Sequence, residues 1–356
     1  MFPGLGAIAA LLVAQSTAMQ PETAWSQTGR PLPQREPVYA APDRNLTLYR
    51  SCPDKLSAEA KGSVTAILPD LFVRWRDGYA KTRPSVQIHA PPPYGPPQGR
   101  LSSTLSDFIE GKLDFALLSR TLSGPDLARY RQIHGHPPIV VPIANGSWRH
   151  FGFVDAVVVI VHADNPLRAV SVQDLRAIFG AGARPDWGAL GAVNWAGKPV
   201  RIYGSADWLQ EDTARSATFR SRIMDGLPWR EELLKTGHEG DAPGKVIGDP
   251  FGIAVTGLGH LPRGTRPLVI ALSPGEPGIA PNYANVRLAR YPLTRTLDLL
   301  LHRKGGGPSA SAAADFARYI LSREGQEIVA RQGIFLPLRA GQARAALDKL
   351  GPCEAD

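Results

Sequence analysis

Residue types able to do chemistry are sparse in this chain, and their spacing argues against catalysis. No Gly-x-Ser-x-Gly elbow, no P-loop and no His-Glu-x-x-His helix occurs anywhere in the sequence. The tightest histidine pair is His134-Gly135-His136, which has no nearby carboxylate or cysteine and runs into Pro137-Pro138, so it reads as a loop feature rather than a metal site. Gly257 to Gly259 and Gly305 to Gly307 do not open a helix with G-x-G-x-x-G and read as turns. Trp187, Trp195, Trp208 and Trp229 scatter without a basic stripe, which argues against nucleic acid as a partner. The only two cysteines, Cys52 and Cys353, bracket nearly all of the folded region. In an oxidising compartment they would pair and fasten the last residues to the first strand; the alternative is two unrelated thiols. The expectation is no enzyme, no cofactor and no metal.

The elements that must position any site belong to a globular protein. Of the 356 residues 43% are hydrophobic and 20% charged, which excludes collagen-like and wholly disordered readings and suggests two lobes, each with its own core. The formal charge of +8 favours anionic partners but forms no long run. Residues 1–20 carry no charged side chain around an apolar core, Ile8 to Val13. That core is far short of the about 20 residues needed to span a bilayer. With Ser16-Thr17-Ala18 as a small-residue cleavage site the segment reads as a signal peptide, although the positive n-region is missing; a plain apolar tail is the alternative. Residues 21–45 are rich in Pro, Gln and small polar residues and read as a flexible linker.

Beyond the linker, helix and strand alternate. Leu68, Leu71, Phe72, Trp75 and Tyr79 recur at helical spacing and predict a helix over 65–80, with Ser63 or Thr65 as its cap. Strands are expected at 85–89, 113–118, 200–203, 251–255 and 268–272, and the run Ala156 to Val161 (AVVVIV) reads as a strand buried on both faces. Ser171 with Asp174 has the logic of a capping box. Helices are further expected over 101–110, 213–224 and 315–332. The fold class is α/β, two lobes each with a mixed sheet flanked by helices.

Five segments in order carry a resemblance. They are Gly62-Ser63 at a helix start, Asp114 to Arg120 (DFALLSR), Asp164 to Gly191 with DNPL, LRAIFGAG and DWGALG, Arg290 to Arg295 (RYPLTR), and Tyr319 to Leu338 (YILSREGQEIVARQGIFLPL). Over about residues 48–340 the chain resembles the PstS-like phosphate-binding proteins of ABC transporters, within the type II periplasmic binding protein superfamily. The resemblance implies a ligand cleft between lobes joined by two crossing segments, placed near 155–162 and 254–267. It puts 46–155 plus 265–350 in lobe 1 and 156–264 in an inserted lobe 2. It implies phosphate or another small anion as ligand, an ABC permease as partner and a periplasmic or secreted location; monomer is the default.

An oxyanion leaves water only where donors replace its hydration: helix N-termini, hydroxyls and a bidentate guanidinium. Three places qualify: Ser63 to Thr65, Ser119-Arg120, and Thr213-Ala214-Arg215 with Asp212 before them. In the third, Ala214 and Arg215 stand where the family writes Gly and Thr. The loop containing Gln98-Gly99 departs from the family's Gly/Ser-rich turn, because Pro96 and Pro97 remove two N–H donors. Asp212 is the expected acceptor for a ligand proton. The rival expectation is a sensor or surface interaction module that kept the fold but lost or altered anion binding.

Overall fold

The structure, a computed structural model, describes residues 40–52, 58–90, 101–120, 122–150, 152–205, 214–237, 241–303 and 311–352. The expected signal peptide, most of the linker, Gln98, Gly99, Asp212, Thr213 and Cys353 lie outside the described residues.

Two five-stranded mixed sheets organise two lobes. The first contains β1 (Glu59–Val64), β2 (Gln87–His89), β3 (Phe115–Leu118), β4 (Ile139–Asn145) and, far along the chain, β12 (Thr296–Leu301), in the order β2-β1-β3-β12-β4. The second contains β5 (Val157–His162), β7 (Arg201–Ser205), β8 (Leu234–Thr236), β9 (Gly252–Gly257) and β10 (Thr265–Pro267), in the order β10-β5-β9-β7-β8. β6 (Ala169–Ser171) and β11 (Val269–Ala271) form a separate parallel pair. Residues 157–161 are all fully buried, as an uninterrupted β-branched run requires.

The helices follow the apolar pattern with instructive shifts. In α1 (Pro69–Thr82), Leu71, Phe72, Trp75 and Tyr79 face the core, as the spacing predicts. The helix opens at Pro69, later than residue 65, because proline suits a first turn; Leu68 is the N-cap, and neither Ser63 nor Thr65 caps it. α2 (Leu101–Ile109) and α3 (Gly124–His134) complete the first half of lobe 1. α4 (Val172–Phe179) has the expected capping box: the Asp174 N–H donates to Ser171 Oγ at 3.0 Å, and the Ser171 N–H donates back to the Asp174 carboxylate at 2.9 Å. The helix expected over 213–224 is α5 (Ala214–Phe219) followed by one π-turn over Arg220–Met224. α6 (Ala242–Ile247) and α7 (Tyr283–Arg287) pack in the second lobe.

The helix expected over 315–332 is two, α8 (Ala312–Leu321) and α9 (Arg323–Gln332). Ser322 breaks the run because its hydroxyl accepts from Gly325 N–H at 3.3 Å and caps the second helix. Gly325 is required by space: a Cβ there would stand 2.3 Å from the Tyr319 carbonyl oxygen. Gln326, fully buried, donates to the Ile143 and Ile320 carbonyls and accepts from Leu338 N–H. The EGQ…PL stretch therefore clamps α9 to β4 and to the chain leading into α10 (Ala340–Leu350).

Both crossings between lobes differ from expectation: the outward one, expected near 155–162, comes earlier because Val157–His162 is β5 of the second sheet. The outward segment is 146–156, between β4 and β5. The return does not run through 254–267, because those residues form β9 and β10 of the second sheet; β10 pairs with β5, and Val286, Tyr291 and Leu293 pack in the second core. The chain re-enters the first sheet only at β12, so the return is 291–295 and the boundary at 265 moves later.

One buried acid ties the ends of lobe 1 together. Asp315, fully buried, accepts from the hydroxyls of Tyr49 and Tyr79 at 2.7 Å each and from Cys52 N–H at 3.0 Å, with Arg83 at 3.5 Å. Cys52 is 4% exposed and disulfide-bonded; the chain's only other cysteine is Cys353.

Candidate functional site

Three chain segments converge at one edge of the first sheet because of strand direction. β3 ends at Leu118 and releases Ser119-Arg120 at that edge. β12 runs antiparallel, with Asp298 opposite Leu118, so its start brings Thr294, Arg295 and Thr296 to the same place. A guanidinium N–H of Arg295 donates to the Ser119 carbonyl at 3.3 Å, and the Arg295 carbonyl accepts from Gly146 N–H at 2.7 Å. Arg295 is 8% exposed, so this junction of both strand ends and the outward crossing is held from within.

The facing wall comes from the second lobe. Thr218, Ser221 and Arg222, at spacings of three and four, occupy one side of the turn that begins in α5 and continues into the π-turn. With the first-lobe residues they line a small cleft, open to solvent, to which the described residues contribute five hydroxyls and three guanidiniums and no carboxylate. Groups of this kind solvate an oxyanion; they contain no base able to activate a nucleophile.

Arg120 is aimed by its neighbour. Its Nη1 donates to Asp126 Oδ2 at 2.8 Å, and the same oxygen accepts from Ser123 N–H at the start of α3. Burial works to raise the Asp126 carboxyl, but the hydrogen bonds from Arg120 and Ser123 hold it below the usual carboxylate range. On the first-lobe floor the Thr296 hydroxyl donates to Asp298 Oδ1 at 2.9 Å. Burial pushes the Asp298 carboxyl up to about 6, opposed by the Thr296 hydrogen bond and by the charges of Lys349 and Arg222.

Of the expected ligand residues, Ser119 and Arg120 line this cleft. Ser63 is inside β1 and 4% exposed, and Thr65 follows the strand, its N–H donating to the Leu117 carbonyl; neither is among the lining residues. Ala214 is the first residue of α5. Arg215 is not among the described lining residues and pairs with the fully buried Asp155 at 3.2 Å, whose other oxygen accepts from Gly259 N–H at 2.9 Å. Gly257 leaves room for that pair, since a Cβ there would stand 2.2 Å from the Asp155 carboxylate. Gln98, Gly99, Asp212 and Thr213 lie outside the described residues.

Sequence reasoning missed Thr218, Ser221, Arg222, Thr294, Arg295 and Thr296. Two signals were present: a hydroxyl, hydroxyl, arginine series at helical spacing, and the RYPLTR segment, which ends on two of the lining residues. His302 instead stacks on Phe108 and His134 on Tyr130, with His136 tilted against Tyr130, in a ring cluster near the opposite end of β12.

Comparison with known proteins gives a consistent result. A family model described as a PBP superfamily domain matches residues 102–324. Phosphate-binding protein PstS from two strains of Pseudomonas aeruginosa is 27% identical over 299 residues, covering 80% of this chain and 84% of the relative. Among solved structures, an ABC-type phosphate transport receptor from Vibrio cholerae matches with a TM-score of 0.50 at 13% identity, covering 78% of this chain and 100% of that one. PstS from Borrelia burgdorferi matches with a TM-score of 0.50 at 13% identity over 80% and 100%. At such identity these two structures speak for the two-lobed fold.

Proposed function

Since the chain belongs to the PBP superfamily, we propose that it is a solute-binding protein that captures phosphate or a related oxyanion between its lobes and hands it to an ABC permease. The observation that carries this reading is the make-up of the cleft: hydroxyls and guanidiniums from both lobes, with no carboxylate among the described residues that line it. Arg120 supplies the bidentate grip, pre-aimed by Asp126, and the hydroxyls of Ser119, Thr218, Ser221 and Thr294 replace water around the remaining oxygens. Closure of the lobes would remove the anion from water and bring Arg222 onto it. The relatives named PstS support phosphate over other oxyanions and support binding over catalysis. An exported, extracytoplasmic location accords with the leader read at residues 1–20; among the described residues no helix is long and apolar enough to cross a membrane.

Calorimetric titration of the protein with phosphate, sulfate and organic phosphates tests the reading. Saturable binding of phosphate, weakened by Arg120→Ala, is the expected result. No binding of any of these anions would overturn it and leave the sensor or interaction-module reading.

A further inference from the structure

A carboxylate directly behind an anion-binding cleft works against the anion unless something neutralises it. Asp298 is 7% exposed on β12, an interior strand between β3 and β4. Its hydrogen-bond partner is the Thr296 hydroxyl, at 2.9 Å, and Thr296 itself lines the cleft. The charged groups that reach Asp298 are Lys349 from the last turn of α10 and Arg222 from the opposing wall; β3 and β4 present Leu118 and Pro142 opposite it.

The direction of one hydrogen bond follows from this arrangement. While Asp298 is ionised it can only accept, so Thr296 spends its proton on the carboxylate and turns lone pairs toward the cleft. Lone pairs repel an oxyanion. Once Asp298 is protonated, its own O–H donates to Thr296 Oγ1, and the threonine proton is released to donate to the ligand. The same event removes a negative charge from behind the site.

Resting on the anion-binding reading above, we propose that Asp298 is a positioning residue that couples oxyanion capture to uptake of a proton, by setting whether Thr296 offers the ligand a donor or a lone pair. No bond is made or broken beyond the transfer of one proton from water to the Asp298 carboxylate. The carboxyl is poised for this, since burial already holds it near 6, and a bound anion raises it further. By linkage, any anion that raises this carboxyl binds more tightly as the pH falls, about tenfold for each pH unit of added elevation.

The test titrates wild-type protein, Asp298→Asn and Thr296→Val with inorganic phosphate between pH 5.5 and 8, in pairs of buffers of unlike ionisation enthalpy. The pairs report protons taken up per phosphate bound, and phosphate's own titration is common to all three proteins. Wild-type protein should take up more protons near pH 6.5 than Asp298→Asn, and its affinity should fall more steeply as the pH rises. Asp298→Asn, which removes the repulsion, should bind phosphate about tenfold more tightly at pH 7.5. Thr296→Val should lose part of the affinity gained in acid. As a check that needs no substitution, carbon-detected NMR of the wild-type Asp298 carboxyl should show its titration moving up when phosphate is added. Equal proton uptake in wild type and Asp298→Asn, or a carboxyl whose titration phosphate leaves in place, overturns the coupling while leaving the receptor reading intact. Absence of phosphate binding by the wild type at every pH overturns the receptor reading itself.

Discussion

The first-lobe wall of the cleft is made of strand ends, whereas the second-lobe wall is one face of a short helix that loosens into a π-turn. Ser119, Arg120 and Thr294 to Thr296 sit where β3 and β12 are already laddered together, and Arg295 and Asp126 lock them from behind. Thr218, Ser221 and Arg222 have no ladder beneath them; α5 is anchored near its start by the pair between Arg215 and Asp155. The difference separates two jobs. On the anion-binding proposal, a preorganised wall would select the anion at no cost of reordering, while a softer wall would adapt as it closes.

Removing the anchor of the second wall should have the largest effect. Asp155→Ala leaves the Arg215 guanidinium buried without its carboxylate and should cost about 3–5 kcal/mol of stability, read from urea denaturation. A loss below 1 kcal/mol would mean that α5 is held in some other way.

The first wall stores a cost of its own, and pH exposes it. The Asp298 carboxyl titrates near 6 in the fold against 3.8 in the reference state, so between these values the folded protein binds more protons than the unfolded chain. Stability on account of this group is therefore intact below about pH 4, falls as pH rises toward 6 and stays reduced above it. Asp298→Asn should stabilise the protein by up to about 3 kcal/mol at pH 7.5 and by little at pH 4, a contrast that thermal melts at the two pH values would show.

Loss of Arg120 follows. Arg120→Ala should weaken phosphate binding about 10- to 100-fold, as expected for a charge-assisted contact. Asp126→Asn should weaken it by a smaller factor through the misdirected guanidinium, with Asp126→Glu recovering part of the affinity. The smallest effect is expected on the soft wall: Arg222→Ala should cost about 3- to 10-fold, mostly as faster release, because that residue engages on closure. Stopped-flow measurements would sharpen the contrast, and equal losses at Arg120 and Arg222 would erase it.

The legible parts of this molecule were those written in local pattern. The apolar spacing of α1, the branched run of β5 and the Ser171–Asp174 box each appear where periodicity and capping place them. Boundaries slipped where a local competitor won, as when Ser322 capped a new helix inside an apparently continuous one. The cleft was legible only at Ser119 and Arg120. Its other half on the first lobe depends on the register of β12 against β3, a pairing of segments nearly 180 residues apart that no local pattern encodes. Arg215 shows what the sequence leaves open: a helix start rich in donors looks the same whether it faces a ligand or pairs, as Arg215 does, with a buried aspartate. The segments that carry the family resemblance, around Gln326 and Asn165, satisfy buried backbone groups.

The contacts of Asp315 have a bearing on synthesis. Its partners Tyr49, Cys52, Tyr79 and Arg83 emerge from the ribosome more than 200 residues ahead of it, and β12 must also arrive before β3 and β4 have their shared neighbour. The inserted lobe has a complete sheet by residue 267 and most of its core by 293. Order of emergence thus makes the lobe whose sequence begins first the one that matures last. A chain paused with its final helices still in the exit tunnel would carry a finished half beside an open one.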